Sequence, residues 1–500
     1  MALEDELLRQ RHERLAQIRG LGFEPYGHAF PFTHTIPQIL ADYGQKSAED
    51  LSARVEVRIA GRIQGLRRMG KAGFLHLSQN GEKLQIYVRK DAVSETAYKL
   101  YELLDLGDII GATGYLFRTK TGELSVHVED LDFLSKIMLA LPEKWHGLED
   151  VETRYRQRYL DMIANADVRK VFVTRSRIIK ALRHELDTRG FLEVETPMLQ
   201  SLYGGASARP FMTHHNALDI DLYMRIAPEL YLKRLVVGGM ERVYEINRNF
   251  RNEGISTRHN PEFTMLEFYQ AYSDYRGMIA LTKDLLQAVA VEATGSSKVT
   301  YQGNEIDFGS MRQFSMREAV VEMWPGNDKP TLENVKDPDW LRQHSKQPTP
   351  GEALVDLFER HVEHQLIQPT IIFDFPVEIS PLSMNKRDEP DFVERFELYA
   401  AGMEIANAFT ELNDPQEQRR RFEQQLRQKA GGDEEAQLMD EDYIRALCYG
   451  MPPAGGEGIG IDRLTMLMTD SKSIREVILF PLLRPEGEIG LVEKLREIEP

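Results

Sequence analysis

The chain has 500 residues, 42% hydrophobic and 28% charged, with a formal net charge of −17. That length and balance fit two or three globular domains and exclude a disordered or fibrous chain. The lone cysteine, Cys448, excludes an intrachain disulfide and a cysteine-rich zinc site, and the absence of any apolar run long enough to span a membrane, with a charged N-terminus unlike a signal peptide, points to the cytoplasm.

Residues 2–20 read as an amphipathic helix, with Leu3, Leu7, Leu8, Leu15 and Ile18 as its apolar stripe. Arg9, Arg11, Arg14 and Arg19 lie mainly off that stripe, so the helix either packs on the next domain or contacts RNA. Residues 52–137 alternate with the period of β-strands. Five strands are expected, at 55–59, 74–78, 84–88, 108–117 and 124–128, with Asn80-Gly81 closing a hairpin. A helix near 91–104 comes before the fourth strand, which is the order of an OB-fold barrel. Residues 51–140 hold 13 Lys and Arg against 11 Asp and Glu, a balance of +2 on a chain that is otherwise at −19. A near-neutral module on an acidic body is compatible with locally bound RNA.

A polar connector, Pro142 to Asp150, separates this module from an α+β region that runs to the C-terminus. The region opens with a helix over 166–189, continues with strands over 190–273 and then helix over 274–293. Residues 295–350 mix strand, helix and loop without a chemical signal. Residues 413–447 read as helical and charged, with Arg419-Arg420-Arg421 and Asp433-Glu434-Glu435 as solvated faces.

Three segments carry chemistry. Around residue 251 a strand-like stretch puts Arg251 and Glu253 on one face, either as a surface ion pair or as an arginine that grips a phosphate bidentately. After the polar loop 254–261, a second strand puts Phe263, Met265, Glu267 and Tyr269 on one face, so a carboxylate stands among apolar groups. Between 394 and 411 the acids Glu397, Glu404 and Glu411, with Asn407, interrupt an apolar strand pair. They are either solvent-facing or oxygen ligands for Mg²⁺. Gly456, Gly458 and Gly460 have the wrong spacing for a dinucleotide fingerprint and suggest a strand pressed against a ligand. A helix over 462–469 follows, with Asp462 as its N-cap and Arg463 in its first turn.

The order and spacing of 190–197, 250–267 and 456–463 resemble the three signature motifs of class II aminoacyl-tRNA synthetases. The strings RNFRNEGISTRHNPEFTMLEFYQAY (248–272), GGASARPF (204–211), GIGIDRLTML (458–467) and YRQRYLDMI (155–163) resemble the bacterial lysyl-tRNA synthetase family throughout the chain. The resemblance implies a helical extension over 1–50, an OB-fold anticodon-binding domain over 51–141, a linker over 142–154 and a catalytic domain built on an antiparallel sheet over 155–500. It implies that Arg251 holds the ATP α-phosphate and the substrate carboxylate, and that Phe263 stacks on adenine. Arg463 covers the other side of the base, with Glu253, Arg258, His259 and Asn260 supporting the nucleotide. Glu397 and Glu404 would hold Mg²⁺, two or three ions with ATP. Gly205 and Glu229 match the α-amino site, and Glu267, Tyr269 and Glu411 the side-chain pocket, with Asn407 beside it. Pro197 belongs to a homodimer interface. In the OB domain Phe74 would stack on an anticodon base, Arg62, Arg67, Gln85 and Glu123 would read edges, and barrel core is the other reading of Phe74.

The implied reaction joins L-lysine to ATP as lysyl-adenylate, releases pyrophosphate and passes the lysyl group to the terminal adenosine of tRNA(Lys). Two buried carboxylates left unpaired, with no cation nearby in sequence, would reject aspartate and neutral analogues. The rivals are an aspartyl- or asparaginyl-tRNA synthetase, the elongation-factor-lysylating paralogue without an OB domain, and a non-catalytic RNA-binding module. One departure from the family is Glu457, where many relatives carry an apolar residue.

Overall fold

The computed structural model describes residues 2–142, 148–431 and 437–485. The acidic run Asp433-Glu434-Glu435 and part of the 142–154 connector lie outside them. Two compact units divide the chain; the first contains Met1–Arg169 and the second Lys170–Leu483.

In the first unit, β1 (Glu56–Met69), β2 (Ala72–Gln79), β3 (Glu82–Arg89), β4 (Ile109–Arg118) and β5 (Leu124–Ser135) form a closed barrel in the order β1-β2-β3-β5-β4. Strict alternation of apolar residues drives the closure: Leu75, Leu77, Ile86, Val88 and Val126 point inward and are buried. Asn80 (φ 54°) and Gly81 (φ 87°) both take positive φ, as a two-residue hairpin turn demands. The first strand runs ten residues past its expected end, to Met69, because a bulge between Ile63 and Gly65 lets it bend around the barrel. Helix α1 (Ala2–Gly20) buries Leu8, Leu15 and Ile18. Arg11 donates to the Leu139 carbonyl and Arg14 pairs with Asp105, so these two arginines are spent on packing rather than held free for RNA. Helix α2 (Glu95–Leu103) sits between β3 and β4 as expected.

The second unit is built on an eight-stranded sheet. Its strands are β6 (Leu192–Glu193), β7 (Arg242–Phe250), β8 (Glu262–Ala271), β9 (Arg312–Ser315), β10 (Thr370–Pro376), β11 (Phe392–Ala400), β12 (Met403–Thr410) and β13 (Ala454–Gly460), in the order β9-β10-β11-β12-β13-β8-β7-β6. The six inner strands are antiparallel; the outermost pair at each edge is parallel. One face of this sheet packs against α4 (Tyr275–Thr294) in the largest apolar core; the other face is open to ligands. A helix missed in the sequence, α3 (Glu229–Val237), interrupts the 190–273 stretch that was expected to be strands. Residues 295–350 form a small hairpin, whose Val299, Tyr301 and Ile306 join the largest apolar core, and short capped helices around a separate core containing Met316, Val320, Leu357 and Phe358. No helix among the described residues is long and apolar enough to cross a membrane.

Candidate active site

Strand β7 ends at Phe250, so Arg251 and Glu253 lie in the loop beyond it and not on a common strand face. No ion pair joins them among the described residues. The loop is pinned where Arg251 N–H donates to the Pro261 carbonyl at 2.9 Å. The Arg251 guanidinium lies 5.1 Å from the centre of the Phe263 ring, and its Nε is buried without a hydrogen-bond partner. A buried guanidinium donor left open marks a place for an oxyanion.

Arg251, Glu253, Arg258, His259, Asn260, Phe263 and Arg463 all line one cavity floored by Gly458 and Gly460. Helix α6 (Ile461–Met468) brings Arg463 there. Its N-cap is Gly460, not Asp462. Asp462 turns instead to the sheet, accepting the Thr264 N–H at 2.7 Å and pairing with Arg175 at 2.6 Å, which fixes α6 against β8. Arg463 donates to the Glu404 carbonyl at 2.8 Å and contacts His259 Nε2 at 3.1 Å. A guanidinium only donates, so Nε2 must accept and the imidazole proton sits on Nδ1, facing Ser256 Oγ at 2.9 Å. Burial and then Arg463 hold His259 below its usual pKa, consistent with that neutral ring. Arg258 is anchored on the Gly402 carbonyl at 2.8 Å, and Asn260 on the Glu262 carbonyl at 2.6 Å.

A second cavity adjoins the first and shares Arg251, Met265, Glu404 and Gly458 with it. Its walls include Gly205, Glu229, Glu267, Tyr269, Glu397 and Asn407. Glycines make room for them. A Cβ on Gly456 would sit 2.2 Å from Glu411 Oε1 and 2.4 Å from the Tyr269 ring, and one on Gly205 (φ +86°) would meet Glu229 at 2.9 Å. Glu267 is buried beside the Tyr269 hydroxyl at 3.3 Å. Burial first, then Glu229 and Glu245, push its carboxyl up to about 8. Glu245 stands directly across from it on β7 and is itself paired with the buried Arg225 at 2.7 Å.

Glu411 is different. It is fully buried behind Gly456 and is not on the cavity wall. In sequence Glu411 has no cation nearby; in the fold Lys233 of α3 pairs with it and also with Glu229 at 2.6 Å. Burial opposes the Lys233 charge, but the two carboxylates outweigh it and hold the ammonium protonated. The signal was present in the chain: Glu229 and Lys233 stand at i and i+4 just after Pro228. The expectation of strands over 190–273 hides it. Arg395 is a second cation not foreseen. It donates to Asn407 at 2.9 Å and to Ser380 at 2.9 Å and pairs with Glu397 at 2.5 Å.

Glu397 and Glu404 meet where the cavities join. Burial raises Glu397 to about 7, Arg395 opposes that, and the nearby Glu404 adds to it. A buried carboxylate raised by its carboxylate neighbour suits a hard cation. No cluster of three or more His, Cys, Asp or Glu ligands exists among the described residues, so the protein alone would supply two ligands and leave the rest to phosphate and water, as Mg²⁺ prefers.

On the barrel, Phe74 lies on the outer face, not in the core: Leu75 and Leu77 are its buried neighbours. Register places Arg67, Phe74, Tyr87, His127 and Tyr115 in one cross-strand row, with Phe74 and Tyr87 rings 4.8 Å apart. Gln85 lies one row along that face, and Arg67 and Glu123 are exposed. Arg62 is half-buried, donating to the Gly107 carbonyl at 2.8 Å.

An arginine-lined cleft on an antiparallel sheet, in a chain that also carries an OB barrel, places the protein among the class II aminoacyl-tRNA synthetases. Residues 150–484 match the family of tRNA synthetases class II (D, K and N), and residues 57–134 match the OB-fold nucleic acid binding domain. The chain is 54% identical to the lysine–tRNA ligase of Syntrophomonas wolfei over 96% of its length and 98% of that protein's. It is 53% identical to that of Carboxydothermus hydrogenoformans (96% and 98%) and 50% to that of Bacillus subtilis (96% and 97%). The chain belongs to the lysine–tRNA ligase family.

Proposed function

We propose that this chain activates L-lysine with ATP and transfers it to tRNA(Lys), using the residues assembled above. The observation that carries this reading is the junction of a cationic cavity, lined by Arg251, Arg258 and Arg463, with an anionic one, lined by Glu229 and Glu267. ATP would occupy the first and the amino acid the second, and both would meet at Arg251.

Arg251 would hold the substrate carboxylate and the α-phosphate together, its open Nε aimed at the charge that grows on the phosphate oxygens. A carboxylate oxygen attacks the α-phosphorus, the bond to the bridging oxygen breaks, and pyrophosphate leaves past Arg258 and Arg463. The terminal adenosine 3′-hydroxyl then attacks the lysyl carbonyl and AMP departs. Phe263 would stack under the adenine, while Glu253, His259 and Asn260 shape the loop that holds it. Glu229 and the Gly205 backbone would take the α-ammonium; Glu267 and Tyr269 would take the ε-ammonium. Glu397 and Glu404 would hold Mg²⁺, two or three ions with ATP, which neutralises phosphate charge when bound.

In the first unit, Phe74 offers a stacking platform to an anticodon base, with Arg67, Gln85 and Glu123 as edge readers and Arg62 as a support for the strand. The domain boundaries 51–141 and 155–500 follow this division of labour. A homodimer is supported by the exposed, apolar surface at Leu192, Met198, Leu199, Met212 and Leu218 around the exposed Pro197. A cytoplasmic site of action follows from the proposed substrates.

ATP–pyrophosphate exchange with lysine, aspartate, asparagine and no amino acid tests the reading. Exchange with lysine alone is expected. Exchange with aspartate or asparagine would overturn the pocket, and none at all from folded protein would leave only an RNA-binding role.

A further inference from the structure

Lys233 has no place in the reaction as described, yet its side chain is wholly buried at the back of the amino-acid cavity. Its surroundings are Glu229 on its own helix, Glu411 after β12, Tyr443 on α5 (Glu441–Cys448) and the Phe409 ring at 5.2 Å. The titratable groups that face it are therefore two carboxylates and one phenol, with Glu267 and Tyr269 on β8 beyond Glu411. A lone ammonium would not be buried there for packing alone, since an apolar side chain of that volume avoids the cost of taking two charges out of water.

We propose that Lys233 is a specificity-determining positioning residue: a resident counter-cation that ties Glu411 to Glu229 and leaves the pocket with two net negative charges, matched to a dibasic amino acid. This rests on the proposed lysine pocket. In the ionised form that receives lysine, Glu229, Glu267 and Glu411 supply three negative charges and Lys233 removes one. The α- and ε-ammonium groups of L-lysine cancel the remaining two, and its carboxylate goes to Arg251. A neutral side chain leaves Glu267 protonated and without the ion pair that lysine forms, and an acidic one places a further negative charge in the pocket. The bridge also fixes Glu229 from behind, so that its free oxygen faces the cavity.

The test is exchange kinetics of K233M, E411Q and the double variant K233M/E411Q, with wild type alongside. K233M is expected to raise KM for lysine by about tenfold or more while KM for ATP stays within about twofold. The loss should be greatest above pH 8 and smaller at pH 6.5, where a proton on Glu411 can stand in for the missing ammonium. K233M/E411Q restores the net charge with neutral groups and is expected to recover lysine KM to within about threefold of wild type. Because it buries no unpaired charge, it serves even if K233M alone fails to fold. A double variant no better than K233M, or a K233M whose KM for ATP rises in parallel with its KM for lysine, would overturn the charge-matching role and leave Lys233 a packing group. Wild type that shows no lysine-dependent exchange would instead overturn the proposed pocket itself.

Discussion

The pH dependence of lysine recognition follows from Glu267. With its carboxyl at about 8 in the empty pocket, it is about 90% protonated at pH 7. It must ionise to receive an ε-ammonium, at a cost of about 1.4 kcal/mol at pH 7 and about 2.7 kcal/mol at pH 6. The sign follows from the direction of the shift: the form that binds lysine lies above the raised pKa, so affinity grows as pH rises towards it. In exchange assays kcat/KM for lysine should climb by about tenfold per unit from pH 6 to about 8 and then level off, while KM for ATP stays nearly flat. Calorimetry at pH 7 in two buffers of different ionisation enthalpy should show close to one proton released for each lysine bound. Glu267→Gln should abolish the climb and cost on the order of 2–3 kcal/mol in lysine binding. A lysine KM that is flat between pH 6 and 8, or a climb that survives Glu267→Gln, refutes the reasoning.

Arg251→Ala is expected to lower the rate of adenylate formation by at least about 10³-fold, with an unchanged melting profile, because its guanidinium serves the site more than the fold; near-normal exchange from the folded variant refutes its assignment. Phe74→Ala should raise KM for tRNA in aminoacylation by roughly ten- to a hundredfold, the worth of one stacked base, and leave exchange without tRNA untouched. Glu457 is buried against α4, where Thr282 is 2.7 Å from it and also 2.7 Å from the Met278 carbonyl. One hydroxyl proton cannot serve two acceptors, so the arrangement is satisfied only when Glu457 carries a proton, in keeping with the burial that raises it to about 8. Its folded pKa exceeds the unfolded one, so the unfolded state binds fewer protons and stability falls as pH rises from about 4.5 to 8. Glu457→Gln should flatten that decline, by up to a few kcal/mol at pH 8, as read from urea unfolding at pH 6 and pH 8.5; an unchanged slope would rule this out.

Much of the molecule is legible in the chain because local chemistry dictates it. Alternation of Leu75 and Leu77 with polar neighbours makes a strand in any context, and Asn80-Gly81 closes its hairpin because both take positive φ cheaply. Glycines at 456, 458 and 460 announce a backbone that must lie close to something, and a carboxylate such as Glu267 on an apolar face announces an unusual environment. What lies against those residues was decided only by tertiary structure. Asp462 could cap its helix by sequence, yet a strand amide and Arg175 compete for it and win. Arg251 read as strand, but β7 stops at Phe250 and frees it to stand between two cavities. Glu411 looks unpaired in sequence because its cation lies 178 positions earlier, on a helix where it also pairs with Glu229 at i, i+4. Charge pairing depends on distance in space, falling off within a few ångströms, and sequence separation carries no record of it.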